Sequence, residues 1–545
     1  MKTRYQLFLI VLVCILIGIT IGNFVTKREI SRNGISGIVT INKLDALLNL
    51  VSTKYVEDID EKAIIENMIP KILSELDPHS VYISTREMER ANEDLEGSFS
   101  GVGIQFNIRE DTIRVIAVIN GGPAEQAGLK AGDKIVSIND SSFVGPKINN
   151  DLVMKTLRGE KDTKVNVGVR RKGSREELTY LLSRADIPVN SIDASYKIGE
   201  NIAYIKLGKF SSTTYNEFLS IFSKMHAQDN CDRVILDLRG NPGGLMGPAL
   251  AILNEFLPKN SLMLYVEGKA YKREDSYSDG RGSCQETPLI ILMDEWAASS
   301  SEIVAGAIQD NDRGYIVGRR SYGKGLVQQQ IPFKDGSAVR LTVAHFYVPS
   351  GRNLQKPFKK GAFEDYEMDL INRYIRGEFD SRDSIHLSDS LLYKTIGGRT
   401  VYGGGGIMPD YFVPIDTSGS SEWYNTVYNK TLLYNFSANY ADNHREKLLS
   451  LKDPQILKSY LKQDGIFEQF VHYTVSKGIP GNQKEIAISK EIASSQIYAY
   501  IARNILGEDA FWMLLQEDDP TLNKAVSLIA DLGIKVPLGL SQEAQ

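Results

Sequence analysis

An apolar strand candidate, Leu289 to Met293, runs through Asp294-Glu295-Trp296-Ala297-Ala298 into Ser299-Ser300-Ser301-Glu302-Ile303, where helical periodicity opens. A hydroxyl between the end of a buried strand and the start of a helix meets free backbone N–H groups and the positive end of the helix dipole, which stabilise an oxyanion. Helix capping is the everyday use of serine at such a position, and the residues alone leave both uses open. A nucleophile also needs a base. The six histidines (His79, His226, His345, His386, His444 and His472) are dispersed and no G-x-S-x-G segment occurs, so a hydrolase triad has little support. Lys324 can serve instead. It lies in Ser321-Tyr322-Gly323-Lys324-Gly325-Leu326-Val327-Gln328, after the strand candidate Tyr315 to Val317. Flanking glycines let the backbone pass closely, and burial would favour the neutral amine that takes a hydroxyl proton. A surface lysine in a tight loop is the ordinary alternative.

The elements that must position these residues form the third of four textures. From Ile187 to Pro414, buried-strand candidates (Ile202 to Ile205, Val234 to Leu238, Leu289 to Met293, Tyr315 to Val317) alternate with amphipathic segments (Tyr215 to Lys224, Met246 to Phe256, Ser300 to Gln309). That alternation predicts crossover units in a layered α/β domain. Before it, apolar residues recur at helical spacing from Thr40 to Asn92, and short strands with glycine turns run from Gly97 to Ala185. After it, Glu422 onward is helical in pattern, with breaks at Pro454, Gly465, Gly478 to Gly481 and Pro520.

Two segments imitate other chemistries. Gly318 to Lys324 satisfies G-x-x-x-x-G-K, but Gly325 stands where Ser or Thr would hold magnesium, and a strand follows where a helix should start. Gly240-Asn241-Pro242-Gly243-Gly244 is close to the G-N-S-G-G of trypsin-like enzymes, with proline in the nucleophile's place. Composition excludes more. The 545 residues carry 63 Lys and Arg against 68 Asp and Glu, a net charge of −5, so nucleic acid is a poor partner. Three cysteines, Cys14, Cys231 and Cys284, are too few and scattered for a disulfide scaffold or a paired-ligand zinc site. Pairing of Cys231 with Cys284 stays open, and neither metal nor other cofactor is expected.

In Ser100-Gly101-Val102-Gly103-Ile104-Gln105-Phe106, successive N–H groups ahead of a strand can converge on a peptide carboxylate. With the strand Thr112 to Ile119, then Gly122-Pro123-Ala124-Glu125-Gln126-Ala127-Gly128-Leu129 and Ala131-Gly132-Asp133-Lys134-Ile135, the segment resembles a PDZ domain. That resemblance assigns the carboxylate loop to Val102, Gly103 and Ile104.

Ala298 to Ala307 resembles the nucleophile segment of the C-terminal processing (tail-specific) serine proteases. The resemblance implies that Ser299 attacks the peptide, that Lys324 is the general base 25 residues on, and that Gln328 supports it. Asp237-Leu238-Arg239-Gly240-Asn241-Pro242-Gly243-Gly244 matches the second signature, implying an oxyanion hole from Gly243 or Gly244 with the Ser300 N–H. Leu76-Asp77-Pro78-His79-Ser80, Pro349-Ser350-Gly351-Arg352 and Gly405-Ile407-Pro409-Asp410 also fall in family order. Trp296, Ala297 and Ser300 depart from the family pattern, and residues 360 to 395 read as an insertion.

The expected architecture is multidomain, α+β and α/β: an N-terminal anchor (1–30), a helical domain (31–96), a PDZ β-domain (97–186), a layered α/β protease core of the ClpP/crotonase-like kind (187–415) and a helical extension (416–545). The anchor rests on the 21 residues from Tyr5 to Val25, near the roughly 20 that span a bilayer. A cleaved signal would have a shorter apolar stretch ending in small residues, and none follows. The expected enzyme is a serine endopeptidase in the cell membrane, catalytic part extracytoplasmic (periplasmic), acting on proteins or peptides with free C-terminal tails. The C-terminal helices would dimerise, bind an adaptor or simply pack on the protease. The alternative is a degenerate protease that holds peptides without cutting them.

Overall fold

The computed structural model describes residues 35–531 apart from 110, 120, 172, 175, 361, 362, 387 and 388. The expected anchor at residues 1–30 lies outside the described residues, among which no helix is long and apolar enough to cross a membrane. The chain divides into two compact units, residues 1–76 and 77–545. The first holds the helices Ile35–Lys54 and Glu61–Ser74, the latter capped by the Asp60 carboxylate on the Ala63 N–H. Sequence texture ended the helical domain at residue 96, but residues 77–96 fall in the second unit. Val81–Ile83 pairs there with Ala338–Tyr347, which makes the preceding Asp77-Pro78-His79-Ser80 turn part of the protease core.

The PDZ domain is a sheet in the order Ile104–Arg109, Thr112–Val118, Lys134–Ile138, Lys164–Arg170, Leu178–Ser183. Alternating Ile113, Val115, Ile135, Val165, Val167 and Val169 fill its core with Val153 and Leu157 of the helix Asn150–Leu157. Ile104–Arg109 ends the order and keeps one edge without a strand neighbour among the described residues.

The α/β core is built on a six-stranded sheet, Ile192–Ile198, Ile202–Leu207, Arg233–Asp237, Leu289–Met293, Tyr315–Gly318 and Tyr411–Phe412, parallel except for the first pair. Its central strand Leu289–Met293 is a continuous apolar run because both faces are covered. One set of alternating residues, including Val234, Leu236, Ile291 and Met293, packs against the helices Thr214–Asp229, Met246–Phe256 and Ser300–Asp310. The other set, including Tyr204, Ile235, Ile290 and Leu292, packs against Leu522, Ala525 and Ile529 of the tail helix Pro520–Asp531. The tail, unexplained in the sequence, thus covers one face of this sheet. A second sheet carries Leu326–Pro332 and Ala338–Tyr347 as an antiparallel pair. Cys231 and Cys284 are buried free thiols, and burial pushes Cys284 up to about 11.

The motifs at 349–352 and 405–410 brace the far end of Ser300–Asp310. Arg352, fully buried, donates to Asp310 Oδ1 (2.8 Å), Gln309 Oε1 (2.7 Å) and the Tyr402 carbonyl (2.8 Å). Asp410 accepts from Gln309 Nε2 and the Ile316 N–H. Arg352→Met leaves the Asp310 carboxylate uncompensated and is expected to destabilise the core by about 3–5 kcal/mol, read as a lowered midpoint in denaturant unfolding.

Candidate active site

Ser299 is the turn between the strand Leu289–Met293 and the helix Ser300–Asp310, with φ +54° and ψ −115°. A non-glycine residue held there costs about 1–3 kcal/mol and persists only where its surroundings over-determine it. Several bonds do so. Asp294 Oδ1 takes the N–H groups of Gly240, Trp296 and Ala297, and the Ala298 N–H reaches the Asn241 carbonyl (3.0 Å). Ser300 and Ser301 spend their hydroxyls on the carbonyls of Gly244 (2.9 Å) and Asn241 (3.0 Å), tying the glycine loop to the helix.

The decisive contact is Glu302, which sequence reading quoted within a motif and left without a role. Its carboxylate is fully buried and takes four donors. Oε2 accepts from the Ser299 N–H (2.9 Å) and the Lys324 N–H (2.8 Å), and Oε1 accepts from the Gly323 N–H (2.7 Å) and Ser321 Oγ (2.5 Å). One oxygen therefore holds the backbones of Ser299 and Lys324 side by side. Burial pushes the carboxyl pKa up, against the pull of its four donors.

Lys324 is half-buried and Nζ makes no hydrogen bond among the described residues. Desolvation lowers its pKa first and Arg340 adds to the effect, against Glu302 and Asp77. Ser299 and Lys324 thus meet through their backbones, with no hydrogen bond between their side chains among the described residues.

The two loop glycines separate. The Gly243 N–H is donated to Asn241 Oδ1 (2.8 Å), while the Gly244 N–H has no partner among the described residues. A Cβ on Gly243, whose φ is +101°, would come 2.7 Å from Ser299 Cβ, so glycine is needed for close approach. The Ser300 N–H, at the helix N-terminus, is also without a partner among the described residues. Gln328 makes no hydrogen bond to Lys324 among the described residues. Its Nε2 donates to the His79 carbonyl (2.5 Å), because the Asp77–Ser80 turn lies across this strand. Trp296 is 59% exposed beside the elbow.

In the PDZ domain the carbonyls of Val102 and Gly103 accept from Ala124 and Ile119, and the N–H groups of Val102 and Gly103 have no partner among the described residues. Ile104 opens the edge strand.

Residues 201–368 match peptidase family S41 and residues 100–182 match the PDZ domain. The chain is 33% identical over 311 residues to the carboxy-terminal-processing protease of Bartonella bacilliformis, covering 56% of this chain and 70% of that protein. The chain belongs to the carboxy-terminal processing proteases. These are serine peptidases of family S41, and two further relatives extend the likeness. Carboxy-terminal processing protease CtpB of Bacillus subtilis is 32% identical over 319 residues, covering 58% of this chain and 66% of that protein. CtpA of the same organism is 29% identical over 409 residues, covering 73% and 86%. Residues 423–507 match a family of unknown function, so this carboxy-terminal processing protease carries a module whose role no name supplies.

Replacing Glu302 by Gln puts an amide N–H₂ against two N–H donors or against Gly323 and Ser321. With each unmet buried group costing about 1–3 kcal/mol, kcat/KM is expected to fall about 10²-fold or more, measured on an unfolded protein substrate.

Proposed function

We propose that the chain is a serine endopeptidase in which Ser299 and Lys324 form the catalytic dyad. The observation that carries the reading is the single Glu302 oxygen shared by the Ser299 and Lys324 amides. Neutral Lys324 takes the Ser299 Oγ proton as Oγ bonds to the scissile carbonyl carbon. The carbonyl oxygen becomes an oxyanion received by the Gly244 and Ser300 N–H groups. Lysine then returns its proton to the departing amine as the C–N bond breaks. A water gives a proton to the same lysine and attacks the acyl carbon; the ester C–Oγ bond breaks, the lysine passes the proton to Ser299 Oγ, and the peptide leaves with a new carboxylate. Gly243 supports this by close packing, and Gln328 by fixing the turn beside the lysine. A degenerate scaffold would need no such pairing of serine and lysine.

The PDZ domain would admit a substrate tail as an added strand on the open edge of Ile104–Arg109, its carboxylate on the Val102, Gly103 and Ile104 amides. The apolar run from Tyr5 to Val25 would anchor the enzyme in the cell membrane with its catalytic part extracytoplasmic; its length supports this reading. The C-terminal helices offer a surface for a second copy or an adaptor.

Ser299→Ala and Lys324→Ala are each expected to abolish cleavage of an unfolded protein, and wild-type cleavage by both would end the dyad reading. The active amine is neutral and its pKa is lowered, so activity is lost as pH falls through that lowered value and is retained above it. Capping a peptide's C-terminus as an amide removes the anion the loop would receive. Affinity is expected to drop about tenfold or more, measured by titration against the free acid.

A further inference from the structure

Two segments without a part in the proposed dyad meet beside the base: the Asp77–Ser80 turn and the insertion containing the helix Phe363–Glu367. Asp77 makes the turn rigid. Its Oδ1 accepts from the N–H groups of His79 (2.8 Å) and Ser80 (2.9 Å) and from Thr342 Oγ1 (3.2 Å). The imidazole this turn presents is held by the insertion: His79 Nε2 and Tyr366 Oη are 2.8 Å apart, the rings edge to face at 5.5 Å.

The bonds close into a circuit that starts and ends on the segment leading from the lysine into the strand Leu326–Pro332. The N–H of Gly325, next to Lys324, donates to Gln355 Oε1 (3.0 Å), and Gln355 Nε2 donates to Tyr366 Oη (3.0 Å). Tyr366 meets His79, and the His79 carbonyl accepts from Gln328 (2.5 Å), three residues after Gly325. Tyr366 Oη accepts from Gln355 Nε2 and shares a hydrogen bond with His79 Nε2, in which the imidazole tautomer sets the donor. The charges agree. Burial brings His79 down to about 4, and burial holds the Tyr366 phenol protonated. Lys356 stacks on Tyr366 and Tyr322 at 4.1 Å from each ring and pairs with Asp369, so its charge is answered on the far side.

We propose that His79 and Tyr366 are positioning residues for the base: their closed circuit with Gln355 and Gln328 walls off Lys324 from water and thereby keeps its amine neutral at working pH. The proposal rests on the reading of Lys324 as the base. Glu302 and Asp77 favour the ammonium and Arg340 opposes it, so the neutral wall supplied by His79 sets how far desolvation prevails. The insertion becomes a component of the active site, supplying Tyr366 from 42 residues beyond the lysine.

The test is the pH profile of kcat/KM for the full-length chain on an unfolded protein. His79→Ala and Tyr366→Ala admit water to the amine. The acid limb is expected to move up by about one pH unit, giving roughly tenfold loss below the limb and near-wild-type rates above it. Tyr366→Phe, which keeps the ring, should shift it less in the same direction, and His79→Gln, a neutral partner for Tyr366, should restore it. Equal losses at every pH with an unmoved limb would overturn the proposal. So would a His79→Gln variant inactive at all pH, which would put His79 in the proton transfer itself. If Lys324→Ala kept the wild-type profile, the dyad reading would fail; an inactive Lys324→Ala with unmoved limbs in the other variants sinks the present proposal alone. Should the alanine variants not fold, the Tyr366→Phe and His79→Gln limbs decide.

Discussion

Everything at this site depends on one carboxylate buried at the start of a helix. Glu302 sits in a helix whose every residue is buried, where an unpaired charge would be prohibitive, and it is tolerated because four donors converge on it. The same bonds fix two things that sequence keeps apart, the strained turn at Ser299 and the loop that delivers Lys324. The helix is in turn immobilised at its other end by Arg352, Gln309 and Asp410. A displacement at either end would therefore be felt at Ser299, since close-packed interiors transmit strain. The distant family-order motifs read in this light as anchors for the helix rather than as groups that meet substrate.

Much of this was legible in the sequence. The strand Leu289–Met293 appears with the predicted bounds because five apolar residues flanked by polar turns leave little choice. The PDZ strand Lys164–Arg170 follows plain alternation of valine with polar or small residues. Glu302 escaped because an acid three residues into a helix is ordinary capping chemistry. The available signal was the run Ile303-Val304-Ala305-Gly306-Ala307-Ile308 directly behind it, which carries no polar side chain. His79 escaped for another reason. Its partner Tyr366 is 287 residues away, and no local pattern marks such a pairing. Gln328 was linked to the base through a family pattern, while its amide serves the turn that flanks the base.

The glycine loop shows a finer limit. Two adjacent glycines with positive φ look alike in sequence, yet Asn241 takes the first amide and leaves the second exposed. Only the direction of one asparagine side chain separates a packing role from a binding role.

The tail changes what counts as the catalytic domain. Its helix at Pro520–Asp531 lies on the sheet face bearing Tyr204, Ile290 and Leu292, and Asp519 pairs with Arg239 at the head of the glycine loop. The boundary a family profile draws near residue 368 is thus a boundary of ancestry and not of folding. Excising the chain beyond the last core strand would bare an apolar face to water, and the expected product is a sticky, association-prone fragment in place of a minimal protease.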